Sequence, residues 1–235
     1  NRDSERSRGL GVVYKRQDKL LTTVWGPARK AAIKDEAILS SLMRQDGIGD
    51  TLRAWDWRFY AERRRLRDYE LNEENVKPFF QLDNLINATF KCASELFGLE
   101  FSPLDVPLYH DDCRAWTVSR KGECIAVFIG DYFSRPSKRS GAWCNAMRSQ
   151  AKFPTKQIPI VVNVCNFSKV DNFLLSFEDA KTLFHEFGHA LHQILSDVTY
   201  NIISGTSVAR DFVELPSQLF EPVSYTHLTL PTNVA

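Results

Sequence analysis

The stretch Phe184-His185-Glu186-Phe187-Gly188-His189-Ala190-Leu191-His192 decides how the rest of the chain is read. It lies inside a segment, Ser176 to Asp197, with apolar residues at Ala180, Leu183, Phe184, Phe187, Leu191, Ile194 and Leu195. That is the spacing of one face of an amphipathic helix. Ser176 with Asp179 three residues on is a capping-box start. On a helix, positions i and i+4 share a face one turn apart, so His185 and His189 can aim two imidazoles at one metal ion. Glu186 is turned aside by about 100°, beside the ion rather than on it, within reach of a metal-bound water. This is the physical content of H-E-x-x-H: two zinc ligands and a general base. Only three positions are fixed, and chance supplies them in roughly one chain in a hundred of this length. The capped, periodic helix and the downstream segments are what give the motif weight.

Composition sets the outer bounds. The 235 residues, 43% hydrophobic and 25% charged, suffice for one or two globular domains with a sizeable core. A net charge of +1 argues against nucleic acid as a partner. No apolar run reaches the length of a membrane-spanning helix and no secretory leader is visible, so neither membrane nor export is expected. The five cysteines, Cys92, Cys113, Cys124, Cys144 and Cys165, are odd in number and form no C-x-x-C pair. Reduced, mostly buried thiols in a cytoplasmic protein are therefore expected. The chain begins with Asn1 and holds only two methionines, which reads as a piece of something longer.

Along the chain, the first 25 residues show no clear period. Pro27 suits position N1 of a helix running to about Gln45, with the glycines of Asp46-Gly47-Ile48-Gly49-Asp50 as its stop. A second helix is expected from about Thr51 to Leu71. Its Arg63, Arg64, Arg65 and Arg67 are interleaved with Glu62, Asp68 and Glu70, the mark of a solvated face rather than a phosphate site. Pro78 breaks the pattern. A third helix is expected from about Asp83 to Phe97, with Leu85, Ile86, Ala93, Leu96 and Phe97 inward and Gly98 at C′. Arg114–Ser119, Glu123–Tyr132 and Ile158–Phe167 read as strands, the first two joined by a tight turn at Lys121-Gly122. A Pro- and Gly-containing loop, Arg135 to Trp143, separates the second and third. A sheet placed just before a metal helix can hold an extended peptide along its edge, with one carbonyl over the metal.

A catalytic zinc takes three protein ligands and keeps one position open. His192 returns to nearly the same helix face, but seven residues of about 1.5 Å rise put it about 10.5 Å from His185, too far to share an ion. It is better read as a neighbour of the site or a helix-face histidine. Downstream, Gly205 to Arg210 reads as a loop and Asp211 to Glu221 as mostly helical, with Pro216 near its start. Glu214, Gln218 and Glu221 fall on one face. Such a helix can offer Glu214 to the metal and Glu221 as an orienting carboxylate. By spacing alone Glu214, Asp211 and Glu178 all remain possible ligands.

These segments together resemble a known family. Phe184 to His192, Ser204-Gly205-Thr206 and Arg210-Asp211-Phe212-Val213-Glu214-Leu215-Pro216-Ser217-Gln218 closely resemble the thimet-oligopeptidase family of zinc peptidases, nearest its bacterial peptidyl-dipeptidase branch. Further matching stretches are Ala54 to Tyr60, Lys77-Pro78-Phe79-Phe80, Lys138-Arg139-Ser140-Gly141-Ala142-Trp143 and Val162 to Phe167, so the resemblance covers roughly residues 10 to 221. It implies a single zinc ion on His185, His189 and Glu214, with Glu186 activating the water and Glu221, His192 and Asp211 as candidates around that first set. It implies a zincin-like fold, mainly α with a small antiparallel β-sheet, in two lobes about a channel. It also implies a cytoplasmic monomer acting on short unfolded peptides as a peptidyl-dipeptidase or oligopeptidase.

The resemblance stops at Glu221, where the family continues its helix. Pro222 would break that helix, and Val223 to Thr232 resembles a translated sequencing adapter. The expected organisation is therefore a partial catalytic domain over 1–221 and a non-native tail over 222–235. Within the first, residues 27–98 are helical, 114–167 form the sheet and 176–221 carry the metal-site helices. The family's downstream substrate-binding histidine and tyrosine residues lie beyond this end, and its N-terminal lobe precedes Asn1. The alternative reading is an inactive fragment, or a helical interaction module that retains the metal site.

Overall fold

The computed structural model describes residues 2–49, 51–69, 80–169 and 173–222. The chain divides into two compact units, residues 1–72 and 73–235.

Among its described residues the first unit holds two helices, α1 (Arg2–Gln45) and α2 (Asp56–Tyr69). They share a small core of Leu39, Leu42, Met43 and Tyr60, with Leu52, Trp57 and Ala61 packed against it. Helix α1 does not begin at Pro27 as its sequence suggests; it runs through that proline. Proline lacks an N–H, so the Thr23 carbonyl loses its helical partner. Side chains 15 to 34 are all exposed, and water takes up a carbonyl freed on such a surface. Helix α2 starts at Asp56 instead of Thr51, because Asp56 closes a local turn: its Oδ2 accepts from the Arg53 N–H at 3.0 Å. The arginine series behaves as a solvated face. Arg64 bonds Asp35 at 2.7 Å, Arg65 bonds Glu62 at 2.6 Å, Arg67 bonds Asp68 at 2.7 Å, and Arg63 pairs with Asp46.

The second unit is a five-stranded sheet with helices on one face. In chain order come α3 (Leu82–Phe97), β1 (Leu99–Pro103), β2 (Arg114–Arg120), β3 (Glu123–Phe133), β4 (Trp143–Arg148), β5 (Ile160–Phe167), α4 (Phe177–Ile194) and α5 (Leu215–Phe220). Gly98 ends α3 at φ +66°, and its N–H bonds the Ser94 carbonyl as a left-handed cap should. Leu85, Ile86 and Ala93 are buried as expected, but Leu96 is exposed and Thr89 and Cys92 take its place inward. Lys121 and Gly122 both have positive φ, the two-residue turn that matches strand twist.

The strand order is β1-β2-β3-β5-β4. The sheet is mixed rather than antiparallel, because β5 enters between β3 and β4 and runs parallel to β3. Strands β1 and β4 were not expected. Leu99–Pro103 ends in proline, and Trp143–Arg148 lacks a clean alternation, so only pairing to β2 and β5 makes them strands.

Helices α3 and α4 cover one sheet face. An aromatic cluster joins them: Phe90 stacks on Phe101 at 4.1 Å, and Phe187 of α4 meets Phe128 edge-on at 5.6 Å. All five cysteines are free thiols, with Cys92, Cys113 and Cys165 buried. Residues 223–235 of the expected tail, and Lys77 to Phe79, lie outside the described residues. Among the described residues no helix is long and apolar enough to cross a membrane.

Helix α4 starts with the capping box read from the sequence. Ser176 Oγ accepts from the Asp179 N–H at 3.1 Å, and Asp179 Oδ2 accepts from the Ser176 N–H at 3.1 Å. Replacing Ser176 with alanine is expected to cost about 1 kcal/mol. Urea unfolding should show a lower midpoint at an unchanged slope; an unshifted midpoint would deny the cap any energetic role.

Candidate metal centre

The centre is built on α4. Phe184, Phe187, Ala190, Leu191 and Ile194 are buried and fix the roll of the helix on the sheet. With Phe187 pinned inward, His185 and His189 emerge together on the opposite side, their ring centroids 5.0 Å apart. Between them in sequence, Glu186 is turned toward the protein and is 7% exposed.

The chain then leaves α4, passes through a short 3₁₀ turn at Asn201–Ile203, and returns as α5. This helix is shorter than expected. Asp211 to Val213 are in turns, Glu214 is the residue before the first helical turn, and Pro216 sits in that turn where its missing N–H does no harm. Helix α5 ends at Phe220, two residues before Pro222.

Contact between α4 and α5 is backbone to backbone at one point. A Cβ placed on Gly188 would lie 2.7 Å from the Pro216 carbonyl oxygen and 2.7 Å from Ser217 Cα. Glycine in mid-helix costs about 1 kcal/mol against alanine. Here it is the condition for the approach of α5.

That approach brings Glu214 over the two histidines. Its Oε2 lies 3.4 Å from His185 Nε2 and 3.1 Å from His189 Nε2. One ligand atom from each residue falls within 4.8 Å of the others. Ligands about 2 Å from one tetrahedral ion stand about 3.3 Å apart, so the donor set and its spacing fit a zinc ion. Among the described residues this is the group of converging ligand atoms, and neither Asp211 nor Glu178 belongs to it.

Neighbouring groups orient His185 and Glu214, whereas His189 Nδ1 has no hydrogen-bond partner among the described residues. Glu221 Oε1 accepts from His185 Nδ1 at 2.8 Å, which leaves the Nε2 lone pair turned to the metal position. Lys181 Nζ lies 3.3 Å from the other Glu221 oxygen. Ser217 Oγ donates to Glu214 Oε2 at 2.9 Å, and this bond, ahead of the nearby histidines, lowers the Glu214 pKa. Its hydrogen bond with His185 likewise lowers that of Glu221. Burial lowers the pKa of His189, favouring the neutral ring a metal needs. Burial pushes the Glu186 carboxyl up to about 7, with His185 acting the other way. Glu186 Oε2 has no hydrogen-bond partner among the described residues, although it is buried.

Glu186 and His185 line a cavity of about 310 Å³ with Ala142, Glu178, Lys181, Thr182 and Glu221. His192 lies elsewhere. It faces Phe212 at 6.0 Å and lines a separate, largely apolar cavity with Leu191, Leu215 and Leu219. Asp211 is exposed in its turn. Sequence reasoning missed Lys181, Ser217 and Ala142. The first was legible as the residue one turn before His185 on its own face, and the second as one turn beyond Glu214. Ala142 carried no such signal, because it arrives from the loop that precedes β4.

The sequence profile of Peptidase family M3 matches residues 17–233. The chain belongs to that family. It is 41% identical over 201 residues to a dipeptidyl carboxypeptidase of Salmonella typhimurium, covering 83% of this chain and 29% of that protein. It is 34% identical over 228 residues to an organellar oligopeptidase A of Arabidopsis thaliana, covering 91% and 28%. Oligopeptidase A of Escherichia coli is 31% identical over 209 residues, covering 86% and 31%. The chain thus spans under a third of the length of these M3 relatives.

The Gly188 contact makes a direct prediction. A methyl group there must push α5 away or strain the helix, so Gly188→Ala should weaken zinc binding at least tenfold and cost about 1–3 kcal/mol of stability. Competition titration against a chelator measures the first. Unchanged affinity would mean that the contact does not place Glu214.

Proposed function

We propose that this chain carries the metal-binding half of the active site of a zinc-dependent peptidase of the peptidyl-dipeptidase or oligopeptidase type. The observation that carries the reading is the convergence of His185 Nε2, His189 Nε2 and Glu214 Oε2 beside a buried, unpartnered Glu186 carboxylate oxygen. Membership of family M3 supports it. So do the names of the relatives, which are carboxypeptidases and oligopeptidases.

When bound, zinc supplies Lewis acidity toward a peptide carbonyl and lowers the pKa of water toward neutrality. The protein's own part follows from its geometry. Glu186 is the general base: it lines the cavity that His185 also lines, and its buried Oε2 has no hydrogen-bond partner among the described residues. It takes the proton of the attacking water and delivers it to the departing amine. Glu221, backed by Lys181, keeps His185 in one tautomer and one orientation. Strand β4 lies at the edge of the sheet beside this cavity, so its outer main-chain groups can take a short peptide in extended form. We place the whole protein in the cytoplasm as a monomer, a setting that free thiols suit.

In the full-length enzyme, Glu186→Gln should keep one zinc per chain yet slow hydrolysis of a quenched peptide by about 10²–10⁴-fold. His189→Ala and Glu214→Ala should lose the zinc itself. Metal content by atomic absorption, alongside peptide turnover, separates the two effects. Near-normal turnover in Glu186→Gln would remove the proposed base.

A further inference from the structure

Strands β3 and β5 run parallel, so their C-terminal ends lie side by side, with Phe133 paired to Phe167. Strand β4 lies beyond β5 and runs the other way. The loop 134–142 must therefore cross the end of β5 before it can start β4. It carries no large apolar side chain to anchor that crossing. Polar side chains hold it instead, Arg135, Lys138 and Asn166.

Within the loop, Lys138 turns inward and is 5% exposed at its side chain. Its ammonium donates to the main-chain oxygens of Asp131 at 3.1 Å, of Phe133 at 2.8 Å and of Cys165, and to the Asp131 carboxylate at 3.1 Å. Four acceptors thus surround three protons. They come from the ends of both β3 and β5. Asp131 is buried as well, and Arg135 grips it through two bonds of 2.7 and 2.8 Å, with Tyr109 Oη at 3.0 Å. Burial alone would raise the Asp131 pKa, but these donors bring it below its ordinary value.

At the end of β5 stands Asn166. Its amide nitrogen donates one proton to the Arg139 carbonyl at 2.7 Å and the other to the Gly141 carbonyl at 2.6 Å. Gly141 has φ +95°, a backbone state that a side chain would strain. The next residue is Ala142, on the wall of the cavity that contains His185 and Glu186. Trp143 then opens β4, paired to Val164.

We infer that Lys138 and Asn166 are positioning residues for peptide binding: they fix the loop 134–142, and through it the start of the β4 edge, relative to Glu186. Neither touches the metal ligands. Their role is to set where an extended peptide lies along β4 and hence which carbonyl stands before the base. The inference rests on the peptidase reading for its substrate, but the clamp itself is a property of the fold.

The test uses the full-length enzyme with Asn166→Ala, Asn166→Asp, Lys138→Met and Lys138→Arg. Hydrogen exchange reads the clamp directly. Amides 139–144 should exchange faster in Asn166→Ala and in Lys138→Met, while α4 stays protected. Zinc should remain at one per chain. KM for a quenched peptide should rise about tenfold, the worth of two hydrogen bonds, with a smaller change in kcat. Asn166→Asp, which keeps the shape but loses both donors, should behave like Asn166→Ala, and Lys138→Arg should recover part of the loss. Should Lys138→Met fail to fold, the half-buried Asn166 variants decide alone. Unchanged exchange at 139–144, loss of zinc, or an unchanged KM would each overturn the inference. If the parent enzyme bound no zinc or cleaved no peptide, the peptidase reading would fall, and faster exchange in the variants would still establish the clamp.

Discussion

The approach of Gly188 to Pro216 and Ser217 is the constraint on which the site depends. At this point two backbones meet without a side chain between them. Because they do, Glu214 reaches both histidines from a segment far along the chain, and Glu221 reaches His185 from behind. The short α5 could not hold such a position by itself, since six residues make fewer than two turns. Its place comes from packing, with Phe220 buried and within 6.3 Å of the Phe187 ring.

Phe187 thus links the two halves of the arrangement. On one side it closes the aromatic cluster formed with Phe90, Phe101 and Phe128. On the other it supports α5. Rolling α4 to free that ring would bury the histidines, so the hydrophobic face of the helix and its histidine face are one constraint. Electrostatics follow the same geometry. Ser217 and His185 hold Glu214 and Glu221 ionised, while burial keeps His189 neutral. Each group is thereby in the state that ligates a cation or orients a ligand.

Parts of this were legible in the residues. The capped helix 176–194, its buried face, and His185 and His189 one turn apart all follow from local periodicity. Gly98 and the Lys121-Gly122 turn likewise follow from the backbone conformations those residues favour. Other elements misled. Pro27 marks a helix start in most contexts, yet α1 continues through it where its surface is exposed. Strand β4 has no alternating pattern, so its existence depends on β5 and its edge position on a crossing loop. The parallel pairing of β3 and β5 is likewise invisible to period-two reading.

Which helix carries the motif, which of its faces is buried, and which family the chain resembles could all be read from the residues alone. Those properties reside in spacings of three to four residues, or in words of consecutive residues. The resemblance pointed to Glu214, and the tertiary structure brings that carboxylate, rather than Asp211 or Glu178, to the histidines; only the folded chain shows that Lys181 backs Glu221 and that Ala142 shares a cavity with Glu186. Spacing left those three carboxylates equivalent. What separates them is how closely one backbone can approach another, and the absence of a side chain at Gly188 sets that distance.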